Sequence, residues 1–301
     1  MVLSSIHLTA FQLPLYENLV QDEQWHVRHS ILFALPGILA RIDPAQRRLL
    51  TVPSLVQLSR DPADPVRSGL LEVLGEVIYT FREDPGGPPR ELLHIFIATE
   101  RHWSLEDAPH PSPNTLMAHT WFSDPERPII CAFNFPAVIL TLGAARWHEA
   151  RGYYLHLTRS DNPKVMRTLA ASLGEVAAII GPDAAERDLV PVFLLFLRSS
   201  EADVRAKLIE TAPKFTECLA ESRREPTLSS LSSMWLDLGG WREREDLARH
   251  FGELITLAGE HALLVVDLVS RGLRDEVAAV REAAASSVSS CYTSMNTPNL
   301  I

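Results

Sequence analysis

The chain has 301 residues, 46% of them hydrophobic, enough for two ordinary domains or one elongated array of repeats. Its formal net charge is −10, and no Lys/Arg cluster breaks that balance, which argues against nucleic acid as a partner. No apolar run reaches the roughly 18 residues that span a bilayer, so no membrane association is expected.

The first residues, MVLSSIHLTAFQLPLYENL, lack the basic-then-apolar order of a secretory signal. Cys131, Cys218 and Cys291 are odd in number, lie far apart and form no Cys-x-x-Cys spacing, so three buried thiols are expected rather than a zinc site. Both readings favour a cytoplasmic or nuclear protein. Leu and Ala are abundant and strand-type runs of Val, Ile and Thr are scarce, which predicts an all-α chain.

The predicted elements follow one pattern from end to end. One helix precedes residue 20; a turn around Asp22 leads into a second helix, whose Val27, Ile31, Leu35 and Ile38 share one face. The helix PAQRRLLTVPSLVQLSR follows, then a turn at Asp61, then a helix with Val66, Leu70, Leu74 and Val77 at the same offsets. REDPGGPPR joins this unit to the next. The stretch at about residues 102–126, rich in Pro, Ser, Asp and His, reads as a long loop inserted within the third unit. Its Ser112-Pro113 is a candidate phosphorylation site. Beyond it the same face recurs in Arg127, Cys131, Phe135, Val138; Val165, Leu169, Leu173, Val176; Val204, Leu208, Ala212, Phe215; Glu243, Leu247, Phe251, Leu254; and Val280, Ala284, Val288, Cys291. A disordered polar tail is expected at about 293–301, and both ends look cut, as from a longer array.

Each second helix is preceded by another amphipathic helix and a short turn, as in AERDLVPVFLLFLRSS and GEHALLVVDLVSRGL. A helix–turn–helix unit of roughly 39 residues is the period of a HEAT-type α-solenoid. The expected fold is therefore a single all-α array over 1–301, an α-α superhelix of about seven helix pairs in the armadillo-type class. Pro36, Gly75, Pro136, Gly174, Pro213 and Gly252 occupy one register in the second helices, which predicts a recurrent kink.

The turns carry a second periodicity. Asp22 with Arg28, Asp61 with Arg67, Asp161 with Arg167 and Asp275 with Arg281 are evenly spaced, and Arg205 follows Val204 in the same way. The Asp is placed to cap the second helix, and the Arg to reach the Asp of an adjacent repeat, which would make a polar ladder. Met166 follows Val165, so Arg167 comes one place late; no Asp stands six before Arg244, so no rung is expected there.

The exposed turn residues Gln24, Trp25, Asp64, Asn162, Trp241 and Arg242 are the candidate partner-binding positions, since Trp and Arg anchor interfaces. Each Trp either faces a partner or packs on its own repeat. His102, His110 and His119 fit no metal-ligand spacing. The His148-Glu149 pair stands alone, which excludes the multi-pair di-iron site of deoxyhypusine hydroxylases. No phosphate loop or nucleophile motif is present, and a non-enzyme without cofactor or metal is expected.

The run from Ile130 to Leu208 resembles the regulatory subunit 1 family of serine/threonine-protein phosphatase 4. The resemblance lies in Cys131-Ala132, Pro136, Leu140-Thr-Leu-Gly143 with Trp147, Arg167-Thr-Leu-Ala170, Ile180-Gly181 and Asp188-Leu-Val-Pro191, with Trp241-Arg242-x-Arg244 further on. Met166 stands where the family has the Arg of Val-Arg. The resemblance implies a non-catalytic regulatory or scaffold subunit that binds a 2A-like phosphatase catalytic subunit and presents phosphoprotein substrates. A nuclear transport receptor, another adaptor or assembly scaffold, and a simple spacer share the same scaffold.

Overall fold

The computed structural model describes residues 14–97 and 124–296, with side chains as far as Ser289. The inserted stretch at 98–123, including Ser112, His102, His110 and His119, and the residues after 296 lie outside the described residues. The tail expected to be disordered from about 293 is instead helical up to Asn296, as a continuation of the last helix.

Every described element is helical: α1 (14–20), α2 (Trp25–Leu39), α3 (Pro44–Leu58), α4 (Asp64–Tyr79), α5 (Arg90–Ile97), α6 (Arg127–Leu142), α7 (Trp147–Leu157), α8 (Pro163–Ile180), α9 (Val190–Leu197), α10 (Ala202–Glu217), α11 (Glu225–Met234), α12 (Trp241–Arg249), α13 (Phe251–Ala258), α14 (Ala262–Leu273) and α15 (Ala278–Asn296). Proline in the first turn opens α3, α4, α6, α8 and α11, where its missing N–H has no intrahelical acceptor to lose. No single helix among the described residues is long and apolar enough to cross a membrane.

The chain divides into two compact units, 1–154 and 155–301, the boundary falling within α7. In the first, α4 packs between α2 and α6, while α3 packs on α5. In the second, α10 packs on α8 and on α12–α13, α15 on α12–α13, and α11 on both α9 and α14. Each unit is thus two layers, first helices on first helices and second helices on second helices, the stacking of HEAT-type pairs.

The shared face forms the core. Leu70, Leu74, Val77, Cys131, Phe135, Val138, Leu169, Leu173, Val176, Leu208, Ala212, Phe215, Leu247, Phe251 and Leu254 are all fully buried. In α2 the stripe is turned by one residue: Leu32, Leu35 and Leu39 are buried, whereas Ile31 and Ile38 are half-buried. Among the described residues, α2 packs on a second helix, α4, on one flank only. Burial pushes the Cys131 thiol up to about 11, against the lowering effect of the Arg127 charge and a Tyr153 hydrogen bond.

The Pro/Gly register works differently from a simple kink. α4 and α8 run unbroken through Gly75 and Gly174. A Cβ on Gly75 would lie 2.3–2.8 Å from side-chain atoms of Asn134, and one on Gly174 would lie 2.8 Å from Thr211 Oγ1. Glycine there allows the next second helix to approach closely. The Gly174 N–H also donates to Thr211 Oγ1 (3.3 Å), and the Gly252 N–H to Ser287 Oγ (2.8 Å). Near Gly252 the helix does break, at His250 between α12 and α13.

Arginines, two of them buried, close the carbonyl ends of the helices. Arg47 donates to the carbonyls of Leu39 (3.0 Å) and Ile42 (3.1 Å), and across to Thr80 O and Asp84 Oδ1 (both 2.5 Å). Arg224 repeats this in the second unit, donating to Leu219 O (3.1 Å) and Leu257 O (2.8 Å). Arg127 donates to Ile95 O and Phe96 O at the end of α5, which explains an arginine in a buried register. Each satisfies carbonyls that a helix end leaves without partners.

Gly75→Ala is expected to lower the unfolding free energy by about 1–3 kcal/mol, because Asn134 must move. Gly152→Ala, in α7 with open space around it, is expected to raise it by about 0.5–1 kcal/mol. Urea unfolding of the two variants checks this opposition of sign.

Candidate functional site

The turns between first and second helices begin with one local device. Asp22 Oδ1 accepts the Gln24 N–H (2.8 Å), Asp61 Oδ1 the Ala63 N–H (2.9 Å), Asp124 Oδ1 the Glu126 N–H (2.9 Å) and Asp275 Oδ1 the Val277 N–H (2.9 Å). Each carboxylate closes the turn two residues on and does not cap the helix itself. In each case the helix starts three residues after the Asp.

Arginines one turn into the second helices tie these turns together. Arg28 donates to its own turn at Asp22 O (2.6 Å) and grips Asp61 of the next repeat at 2.6 and 2.8 Å. Arg205 donates to Ser199 O (2.6 Å) and Glu243 Oε1 (2.9 Å). Arg244 donates to Leu238 O (3.3 Å) and to Asp275 at 2.7 and 3.2 Å. Arg281 ends on Asp275 O (2.7 Å) and Glu276 O (2.9 Å). Arg67 donates to Asp61 O and pairs with Asp64 of its own helix, while Ser68 Oγ donates to Asp124 (2.9 Å).

Three positions differ from the sequence expectation, the first being Arg67, which stays on its own turn and on Asp64 while Ser68 reaches Asp124 in its place. Arg244 makes a full rung, because its partner in its own turn is a backbone carbonyl, which Leu238 supplies as well as an Asp. Asp161 and Arg167 are both exposed and form no rung. Ser160 holds the turn position, its Oγ accepting the Asn162 N–H (3.2 Å), so Asp161 is one residue out of register. Met166 occupies the ladder position of α8, and Ser199 the turn position of the next repeat. Glu243 as the acceptor for Arg205 was not signalled by the motif; it sits at an anchor position otherwise held mostly by Val.

Burial alone would raise the Asp61 and Asp275 carboxyls. The hydrogen bonds from Arg28 and Arg244, the turn N–H groups and the nearby arginine charges outweigh it, and both lie below the ordinary aspartate value.

The candidate partner-binding residues fall into two groups. Asn162 Oδ1 caps α8 by accepting the Lys164 N–H (3.0 Å), and Asp64 is engaged by Arg67. Gln24 precedes α2 and is exposed. Trp25 is 46% exposed and meets His26 and His29 edge-on. Trp241 is 38% exposed, and the exposed Arg242 guanidinium lies 4.5 Å from its ring centroid. The two tryptophans head α2 and α12 at equivalent positions. Glu149 is held by Arg146 (2.6 and 3.0 Å) and lies below the ordinary glutamate value, mainly through that bond.

In the second unit a cleft of about 820 Å3 opens on the turn edge where the rung is missing, lined by Arg159, Pro163, Met166, Leu195 and Arg198 among others.

These features define a helical-repeat scaffold of the HEAT type, with polar rungs between successive turns inside each unit. Residues 131–234 match the family model described as protein phosphatase 4 regulatory subunit 1 middle domain. Serine/threonine-protein phosphatase 4 regulatory subunit 1 of Homo sapiens and of Mus musculus are each 35% identical over 129 residues, covering 42% of this chain. The match spans 14% of the length of these relatives. Over this segment the chain is similar to the protein phosphatase 4 regulatory subunit 1 family. Among solved structures, a Pds5-Scc1 complex is similar at 14% identity and TM-score 0.44, with 99% of this chain and 59% of that chain covered. A designed armadillo repeat protein is similar at 11% identity and TM-score 0.37, with 93% and 99% covered.

Asp61→Asn leaves Arg28 facing a neutral amide in a largely buried site, and is expected to cost about 2–4 kcal/mol in urea unfolding. Because Asp61 and Asp275 bind protons less readily when folded, their contribution is present above about pH 4 and lost as pH falls through their lowered folded values. The unfolding midpoint should therefore fall below about pH 4, and less steeply in Asp275→Asn, when followed by circular dichroism across pH.

Proposed function

We propose that the chain is a non-catalytic regulatory or scaffold subunit that binds a phosphatase catalytic subunit of the 2A-like, phosphatase 4 type and presents phosphoprotein substrates to it. The observation that carries this reading is the family match over 131–234, a segment running from α6 into α11. The relatives are named as regulatory subunits of phosphatase 4, and the metals and hydrolytic chemistry would belong to the catalytic partner.

The turn edge supports the reading. The ladder fixes one turn against the next, so exposed groups there are held at repeating positions. Trp25 and Trp241 with Arg242 supply large, partly exposed anchors of the kind that dominate interfaces. Asn162 and Asp64 serve this edge by holding turn geometry.

Capture from cell extract on the immobilised full chain, read by mass spectrometry, should recover a 2A-like phosphatase catalytic subunit. Recovery of none would overturn the proposal. Trp241→Ala with Arg242→Ala is expected to reduce that recovery on the order of tenfold or more, with helicity by circular dichroism unchanged. A fall in helicity would instead make Trp241 a packing residue.

A further inference from the structure

A second arginine series runs beside the ladder. Arg60, Arg159, Arg198 and Arg274 each stand immediately before a turn residue: Asp61, Ser160, Ser199 and Asp275. All four are exposed, and among the described residues none of their guanidinium groups is in an ion pair or side-chain hydrogen bond. Several other arginines of the second unit have carboxylate partners, Arg249 with Glu245 and Asp246, Arg271 with Asp267 and Arg223 with Glu186, while Arg242 lies over the Trp241 ring. Gln21 and Asp237 hold the same register before Asp22 and Leu238, so the series is not continuous, but in a chain of net charge −10 the successive unpaired cations Arg159 and Arg198 are not explained by folding.

Arg159 and Arg198 border the same cleft of about 820 Å3. It opens where Met166 replaces the ladder arginine and Ser199 the turn carboxylate, so no ion pair bridges it. Pro163, Met166, Pro191 and the 45% exposed Leu195 give it an apolar wall between two cationic rims. The Arg159 charge is felt locally: after burial, it is the second cause holding His156 below the ordinary histidine value. Asp161 and Glu201 also line the cleft, so a carboxylate seated between the rims would be repelled.

We propose that the turn edge of the second unit, centred on the cleft between Arg159 and Arg198, docks an extended acidic segment of a partner protein. Equivalent residues of neighbouring repeats are roughly 10 Å apart, the spacing of packed helices. A polyproline-II segment advances about 9 Å in one three-residue turn and returns to the same face. Carboxylates at i and i+3 therefore meet consecutive arginines, and an apolar residue between them rests on Met166 and Leu195. The inference rests on the adaptor reading only in taking the partner to be a protein; it does not depend on a phosphatase.

The test is fluorescence anisotropy of the full chain with a short fluorescein-labelled peptide centred on Glu-Pro-Leu-Glu. Binding should weaken on the order of tenfold with Arg159→Ala plus Arg198→Ala, with circular dichroism unchanged. It should weaken with added salt and when both peptide glutamates are replaced by Gln. Arg60→Ala, in the other unit, should leave it unchanged. Met166→Arg, which puts a long side chain into the cleft, should weaken it independently. Absence of binding, or binding indifferent to the Arg159 and Arg198 substitutions, overturns the proposal. Binding confined to a phosphoserine version overturns it in favour of a phosphorylated partner. Phosphatase capture by the Arg159/Arg198 variant is measured separately, so the two readings can fail independently.

Discussion

An arginine at the head of α2, of α10 and of α12 holds each of those repeats to its neighbour. A helix pair buries only part of its apolar surface alone, and stacking supplies the rest. Apolar packing alone tolerates sliding, because one leucine contact resembles another. Arg28, Arg205 and Arg244 remove that freedom. Each guanidinium donates to a carbonyl of its own turn and to a carboxylate of the next repeat, so two turns share one planar fork. A largely buried ion pair adds little net stability compared with a well-packed apolar substitute, but breaking it is costly. Its service here is register, and the turn edge inherits its geometry from it.

The same constraint explains where the edge opens. At Met166 and Ser199 the fork and its acceptor are both absent, and a cleft takes the place of the rung. The neighbouring helices stay packed, because α8 and α10 interlock through Gly174 and Thr211 at a different level. Polar seam and close helix approach are therefore separable. One can be given up locally while the other keeps the stack intact, which leaves room on the edge without loosening the core.

Much of the fold was legible because the apolar face repeats with helical period at fixed offsets, and Leu70, Leu169 and Leu208 fall in the core for the same reason. The fit fails where sequence does not encode the group that matters. Arg244 looked unpartnered because its turn acceptor is the Leu238 carbonyl, which every residue type carries. Asp161 and Arg167 have the right separation but the wrong phase, since Ser160 accepts the turn hydrogen bond as readily as Asp does. Gly75 looked like a breaker, because a sequence shows flexibility and does not show Asn134 standing over the helix. Arg47 and Arg224 were invisible as helix-end closures, since their partners are again backbone carbonyls.

The distribution of perturbed groups fits a protein whose work is positional. Cys131, Tyr153 and Tyr154 have raised proton affinities chiefly through burial in the core, and Asp61 and Asp275 have lowered ones through fixed arginine partners. These shifts arise where the chain must bury polar groups to stay folded. On the turn edge it is spacing that stands out: tryptophans at equivalent helix heads, and arginines recurring before the turn residues. A partner gains affinity from such a surface by matching several weak contacts at once, and the match is only as good as the rigidity of the spacing. That rigidity is what the ladder supplies, so a rung such as Arg205–Glu243, with no partner contact of its own, still sets how well an extended ligand can bridge adjacent turns.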